Sequence, residues 1–323
     1  MFTRIALFVG VVLITWSCKN GPCPDKSDYL GGKPPQGTKQ WCEKKTESGK
    51  YVKDGLYMAW HTAEQKSAEG RFTDDKRDGK WTWWHKNGKK KKEGVYVKGK
   101  QDGIWTAWSS AGVKLNEEIF EDGKANGPRT VWTKEGKVKK KGNQKDGKAD
   151  GEWTFYHPNG AKRSTGSYLK GERNGLWTTY YENGKKRNEG SFKNGKREGK
   201  WLNWNEKGAQ TSAAELKANK KDGVLTSWYE SGQMRHQGDF KAGTRQGKYN
   251  SWYKNGTMQS EGAFEKGKKT GLWNTWYEDG KQKDSGNYVK GKKSGEWIYW
   301  DKEGKKSVVN EPVPAAGKAK APK

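Results

Sequence analysis

Four histidines, three cysteines and five Gly-x4-Gly-Lys runs are the features of this sequence that could carry chemistry. A histidine beside a serine and a carboxylate would make a nucleophile, and one clustered with cysteines would hold zinc. His61, His85 and His157 instead recur at one position of a repeat, and His236 stands apart. Strand spacing puts His61 and His85 about 10 Å apart, too far to share a metal bound at ~2.1 Å. The Gly-x4-Gly-Lys runs, such as Gly94 to Lys100 and Gly190 to Lys196, have the opening spacing of a phosphate-binding loop. The residue after each Lys (Gln101, Ala149, Arg197, Lys269, Lys293) is never Ser or Thr. No helical period follows to present N–H groups to a phosphate. These runs read as turns. No catalytic, cofactor or metal residue is assigned, and the chain reads as a non-enzyme.

The N-terminus reads as an export signal. Arg4 precedes an apolar run from Ile5 to Thr15, too short to span a ~30 Å hydrocarbon core but right for a signal peptide over residues 1–17. Thr15-Trp16-Ser17-Cys18 resembles a bacterial lipobox, in which Cys18 would be lipidated. Ordinary secretion and an uncleaved anchor are the alternatives. Cys23 and Cys42 remain, and in an oxidising compartment they are expected to pair, with two free thiols as the alternative. The closed loop would contribute ~3 kcal/mol by chain entropy.

The elements that must position any site come from a repeat. Leu, Ile, Val and Phe make up only about 12 % of the 323 residues, and the net charge is +27, a balance usual in disordered chains. Against this stand 19 Trp, 14 Tyr and 44 Gly. Gly55, Gly79, Gly103, Gly127, Gly151, Gly175, Gly199, Gly223, Gly247, Gly271 and Gly295 lie 24 residues apart. With that Gly as position 1, position 3 is mostly Trp, position 6 always aromatic and position 10 almost always Gly. Position 16 is mostly Gly and position 18 mostly Phe or Tyr.

Each repeat reads as two strands. Asn-Gly or Asp-Gly at positions 9 and 10, as in Asn87-Gly88 and Asn159-Gly160, predicts a tight primed turn there, and the second connection reads as longer. The expected fold is all-β: an elongated antiparallel β-hairpin array, a single-layer meander of about 22 strands with disordered termini. Residues 18–54 form a lipid-anchored tether and N-terminal cap, with Trp41 the packing residue. Residues 55–304 form eleven repeats, and 305–323 a disordered Pro/Ala/Lys tail. Positions 3 and 6 fall on opposite faces of a straight strand, so either both faces carry rings or a bulge unites them. Arg129 at position 3 and the stretch with Ala214, Leu216, Asn219 and Leu225 depart from the pattern and predict the softest joints.

Gly-x-Trp-x-x-Trp/Tyr, then Asn-Gly, then Gly-x-Tyr/Phe-x-x-Gly resembles the MORN-repeat variant of bacterial proteins often grouped as YwqK-family antitoxins. Residues 175–184 are a close example, and the resemblance covers residues 55–304. It implies a β-hairpin meander, no catalysis and a binding role, in some members toward a secreted toxin.

What remains is surface. The expectation is an envelope lipoprotein, periplasmic or at the cell surface, held by its lipid and binding a protein partner, in an antitoxin-like, immunity-like or assembly role. An acidic polysaccharide or anionic lipid head-groups are the alternative, and nucleic acid is disfavoured for an exported chain. Candidate contacts are the lysine runs Lys89, Lys90, Lys91, Lys92 and Lys139, Lys140, Lys141, with Trp60, Trp84, Trp108 and Trp132 at position 6.

Overall fold

The computed structural model describes residues 23–24, 27–33 and 35–313. The signal peptide and Cys18 lie outside the described residues. All described structure is strand and turn, with no helix, and so none long and apolar enough to cross a membrane. The chain divides into two bodies, Met1–Gly136 and Lys137–Lys323. The first holds β1 (Ser27–Gly32), β2 (Lys39–Lys45), β3 (Tyr51–Trp60), β4 (Lys66–Thr73), β5 (Lys76–Trp84), β6 (Lys90–Val97), β7 (Lys100–Trp108), β8 (Lys114–Glu121) and β9 (Lys124–Trp132). The second begins with β10 (Val138–Lys145), β11 (Lys148–Tyr156), β12 (Lys162–Leu169), β13 (Glu172–Tyr180), β14 (Lys186–Lys193), β15 (Lys196–Trp204), β16 (Gln210–Lys217) and β17 (Lys220–Trp228). It ends with β18 (Met234–Lys241), β19 (Thr244–Trp252), β20 (Met258–Glu265), β21 (Lys268–Trp276), β22 (Gln282–Val289), β23 (Lys292–Trp300) and β24 (Lys306–Glu311). Within each body, every strand pairs antiparallel with the next.

Two boundaries move. β24 pairs with β23 inside the segment 305–323 that the sequence assigns to a disordered tail. Lys306 is position 12 of the last repeat, so the second strand of the hairpin forms although Gly at position 16 and the aromatic at position 18 are replaced by Asn310 and Pro312. In the segment 18–54, β1 and β2 extend the same meander onto β3. Cys23 and Cys42 are joined by a disulfide with Cα atoms 5.3 Å apart. Trp41 donates its indole N–H to Glu43 at 3.0 Å, with the Lys53 ammonium 5.7 Å from the ring centre.

The turns are the reverse of the sequence expectation. Positions 20 and 21 form the two-residue connection, with φ of 50° at Lys98 and 88° at Gly99. Positive φ at both central residues is the primed geometry that matches strand twist. At positions 9 and 10 only the Gly is left-handed. His157 N–H bonds the Ala161 carbonyl and Gly160 N–H bonds the His157 carbonyl, which makes a three-residue loop ending in an αL glycine. Position 20 is therefore strained wherever it is not Gly, Asn or Asp, because αL costs an L-residue about 1–2 kcal/mol. Lys98→Asn is expected to stabilise the first body by about 0.5–1 kcal/mol. An unchanged urea midpoint would show that the turn is relaxed.

Gly at position 1 has another role. Gly166 pairs with Trp177 but Ser167 with Asn174, leaving Gly175 and Leu176 as extra residues on β13. Gly175 takes φ 76° in this bulge. The same irregularity recurs in neighbouring repeats. It turns the Ser167 carbonyl toward the Trp177 indole N–H, which bonds it at 2.9 Å. Equivalent bonds join Trp81 to Arg71, Trp105 to Val95, Trp153 to Asn143, Trp201 to Ser191, Trp273 to Ala263 and Trp297 to Asn287.

These indoles are the core. Trp81, Trp105, Trp273 and Trp297 are each 1 % exposed. Each lies over the glycine at position 16 of the preceding repeat, where a Cβ would collide with the ring carbons. Rings at position 18 pack edge-on: Tyr168 on Trp177 at 5.2 Å and Phe192 on Trp201 at 5.1 Å. Such contacts add ~0.5–1.5 kcal/mol each beyond area burial, which replaces the missing aliphatic layer. The departures are matched swaps. Leu225 pairs with Ala214 in place of Trp with Gly. Arg129 pairs with Glu118, with Nε 3.5 Å from the carboxylate. Both joints lose the indole bond.

Candidate functional site

The bulges decide which side chains share a face. Positions 3, 5, 14, 16 and 18 surround the buried indoles, and positions 2, 4, 12 and 15 lie on the opposite face. Position 6 belongs to the second face, so rings occur on both. Lys66 sits 5.9 Å over Trp60, Lys90 5.9 Å over Trp108 and Lys114 5.4 Å over Trp132. Trp60, Trp84, Trp108 and Trp132 are all half-buried. Lysine stems thus cover rings proposed as open contacts.

The lysine runs are not single patches. Lys89 donates to the Ala111 carbonyl of the next repeat at 2.7 Å. Lys90 pairs with Glu93 at 2.7 Å on the second face. Lys91 is exposed, and Lys92 lies 4.5 Å over Trp105, where burial pushes its pKa down against the pull of Glu118. Lys140 lies 5.5 Å over Trp153, between Lys139 and Lys141. Alternation along a strand sends consecutive lysines to different surroundings.

The histidines at position 7 have a structural use that sequence reasoning missed. His61, His85 and His157 place Nε2 3.0 Å from the carbonyls of Trp84, Trp108 and Tyr180 in the following repeat. Tyr181, Tyr229, Tyr253 and Tyr277 make the same link by O–H donation at 2.8–2.9 Å. The available signal was that position 7 is His or Tyr in seven of the eleven repeats, both able to donate from the tip of a ring. Asn87, Asn159, Asn183 and Asn255 bond across repeats likewise. The Gly-x4-Gly-Lys runs place their second glycine in the two-residue turns, where Gly99 N–H bonds the Arg77 carbonyl at 2.8 Å. Among the described residues no group of His, Cys, Asp and Glu could hold a metal ion.

Charge is organised on the second face as well. Glu189 accepts from Lys186 at 2.6 Å and from Thr178 at 3.0 Å. The Lys186 bond is the main cause holding its carboxyl below the usual range, against a smaller opposing effect of burial. A depressed folded pKa gives stability above the unfolded value that is lost as pH falls through the folded one. Acidification below the ordinary carboxylate range is expected to lower the urea midpoint of the chain. Glu189→Gln removes part of that slope. Identical slopes for both proteins would contradict the assignment.

Exposed apolar side chains recur at positions 2, 17 and 19 on the second face, as Val95, Val97 and Ile104 in the first body and as Leu169, Leu176, Val224, Leu272 and Val289 in the second. Val95, Val97 and Ile104 are 38 %, 46 % and 59 % exposed. Ile104 pairs directly with Ile119, and Pro128 is exposed at the position equivalent to Ile104.

Comparison with known proteins adds the repeat's identity. The family model of the MORN repeat variant matches residues 77–98, 149–170, 173–194 and 221–242. Each match covers one hairpin, such as β5, its loop and β6. No curated protein matches the chain. The crystal structure of TcdB2-TccC3 without hypervariable C-terminal region is similar at 11 % identity, over 84 % of this chain and 17 % of that one, with a TM-score of 0.15. This chain therefore spans about a sixth of that protein's length, and a likeness so loose carries no argument about function. The matched hairpins share one 24-residue register with the repeats between them, and the chain is a MORN-repeat protein of the variant type.

Proposed function

We propose that this repeat scaffold is a non-catalytic lipoprotein of the bacterial envelope that binds a protein partner. The observation that carries the reading is the apolar cluster of Val95, Val97, Ile104 and Ile119 on β6–β8, set in a strongly basic chain. A contiguous exposed apolar patch rimmed by polar groups is typical of protein interfaces. Stacked hairpins hold it on a rigid surface, so little ordering cost opposes binding. The partner is expected to present an apolar knob inside an acidic surround, and a secreted toxin is one protein of that kind. The lipid at Cys18 would anchor the scaffold.

The double variant Val95→Glu, Ile104→Glu tests this. Both side chains are exposed, so stability should stay within about 0.5 kcal/mol. Partner capture by the immobilised chain should survive high salt in the wild type and be lost in the variant. Capture that vanishes with salt in the wild type would instead indicate binding by charge alone.

A further inference from the structure

The first face of the second body carries a feature that the repeat does not require. Side chains at positions 5 and 14 pair directly from strand to strand: Ser164 with Thr179, Thr179 with Asn188, Asn188 with Asn203 and Asn203 with Ser212. The row continues through Ser227, His236, Ser251, Ser260 and Thr275 to Asp284. Every member from β12 to β22 bears a hydroxyl, amide, imidazole or carboxylate. At ~4.8 Å per strand the strip runs about 48 Å. Phe155 and Tyr299 close its ends. In the first body the same positions hold Ala59, Ala68, Trp83, Lys92 and Ala107, so the fold itself accepts apolar residues there.

A row of cations has the same extent. Position 23 is cationic without a break at Arg173, Arg197, Lys221, Arg245, Lys269 and Lys293 beside this strip, whereas earlier in the chain Arg77 is followed by Gln101, Ala125 and Ala149. The Arg173 guanidinium lies 4.6 Å over Trp177 and that of Arg197 5.2 Å over Trp201. Stacking fixes these groups beside the strip. A groove of about 250 Å³ is lined by Ser164, Thr179, Asn188 and Asn203 together with Arg173 and Arg197. The hydroxyls of Thr179 and Thr275 are buried beneath the row and have no protein partner.

We propose that the strip from Ser164 to Asp284 binds a linear acidic polysaccharide. Regularly spaced hydroxyls and amides match sugar hydroxyls, and one guanidinium or ammonium per repeat matches a recurring carboxylate or sulfate. Single-stranded nucleic acid needs open rings for stacking, and Trp177 and Trp201 are 2 % and 7 % exposed beneath their cations. The side chains of the strip itself are all polar, and of the rings that also line the groove (Trp177, Phe192 and Trp201) the two indoles are buried.

The test uses the full chain with polygalacturonate as probe, dextran as neutral control and a thymidine oligonucleotide as a non-glycan polyanion. Polygalacturonate should bind more tightly than the oligonucleotide, and dextran should not bind. Arg173→Gln with Arg197→Gln should weaken binding about tenfold or more and flatten its salt dependence. Asn188→Ala with Asn203→Ala should weaken it at least about threefold at an unchanged salt slope. Ala stands at these positions in the first body, so that pair should fold and decides the matter if the arginine pair does not. Val95→Glu with Ile104→Glu should bind the glycan normally, which separates this proposal from the protein-partner reading. Absence of glycan binding, equal affinity for the oligonucleotide, or an asparagine pair that binds as wild type would each overturn it.

Discussion

Gly166→Ala is expected to destabilise the second body by at least about 3 kcal/mol, at the upper end of overpacking costs. Gly166 does not have positive φ, so its backbone would accept any residue. The obstacle is the Trp177 ring, which occupies the space of a Cβ. The ring cannot lift, because its N–H bonds the Ser167 carbonyl and Arg173 lies over its outer face. The chain shows what relieves the clash: Ala214 stands opposite Leu225. Gly166→Ala with Trp177→Leu should therefore be clearly less destabilised than the two single variants added together, with a coupling of about 1–3 kcal/mol. Urea denaturation followed by circular dichroism measures all four proteins. Strict additivity would contradict the account of the joint.

Trp177→Ala carries the second large effect, about 3–5 kcal/mol. It removes ring contacts to Tyr168, Phe155 and Phe192 at 5.2, 6.2 and 6.1 Å, and leaves the Ser167 carbonyl without its donor. Trp177→Phe keeps most of the ring and loses the N–H, so it should cost mainly the orphaned carbonyl, about 1–3 kcal/mol. In a nearest-neighbour array the loss should stay local. Hydrogen exchange should quicken in β12–β14 while β20–β22 hold. Uniform loss of protection would show that the body unfolds as one cooperative unit.

The repeat and its strands were legible because Gly and Trp recur at 24 residues without an insertion. The turn types were not. Asn159-Gly160 has the composition of a primed two-residue turn, but only Gly160 is left-handed, and the primed turns fall on sequences such as Lys98-Gly99. The face assignment was equally hidden. Position 1 looks like one more turn glycine, yet Gly175 is a bulge inside a strand. Without that bulge, nothing in the sequence brings the Ser167 carbonyl to Trp177. That Arg129 stands opposite Glu118, and Leu225 opposite Ala214, was equally hidden until the register was known. The polar strip is unreadable for the same reason. Its members lie 9 or 15 residues apart and align only through the register that the bulges set.

The binding scaffold itself is tested most directly by site-specific photo-crosslinking in cells. A photoreactive residue is placed at Ile104 on the second face of β7 or, separately, at Asn188 on the first face of β14. A discrete protein adduct from position 104, absent from position 188, is the predicted result. No protein adduct from position 104, or the same adducts from both, would contradict the assignment of the partner to the apolar face of β6–β8.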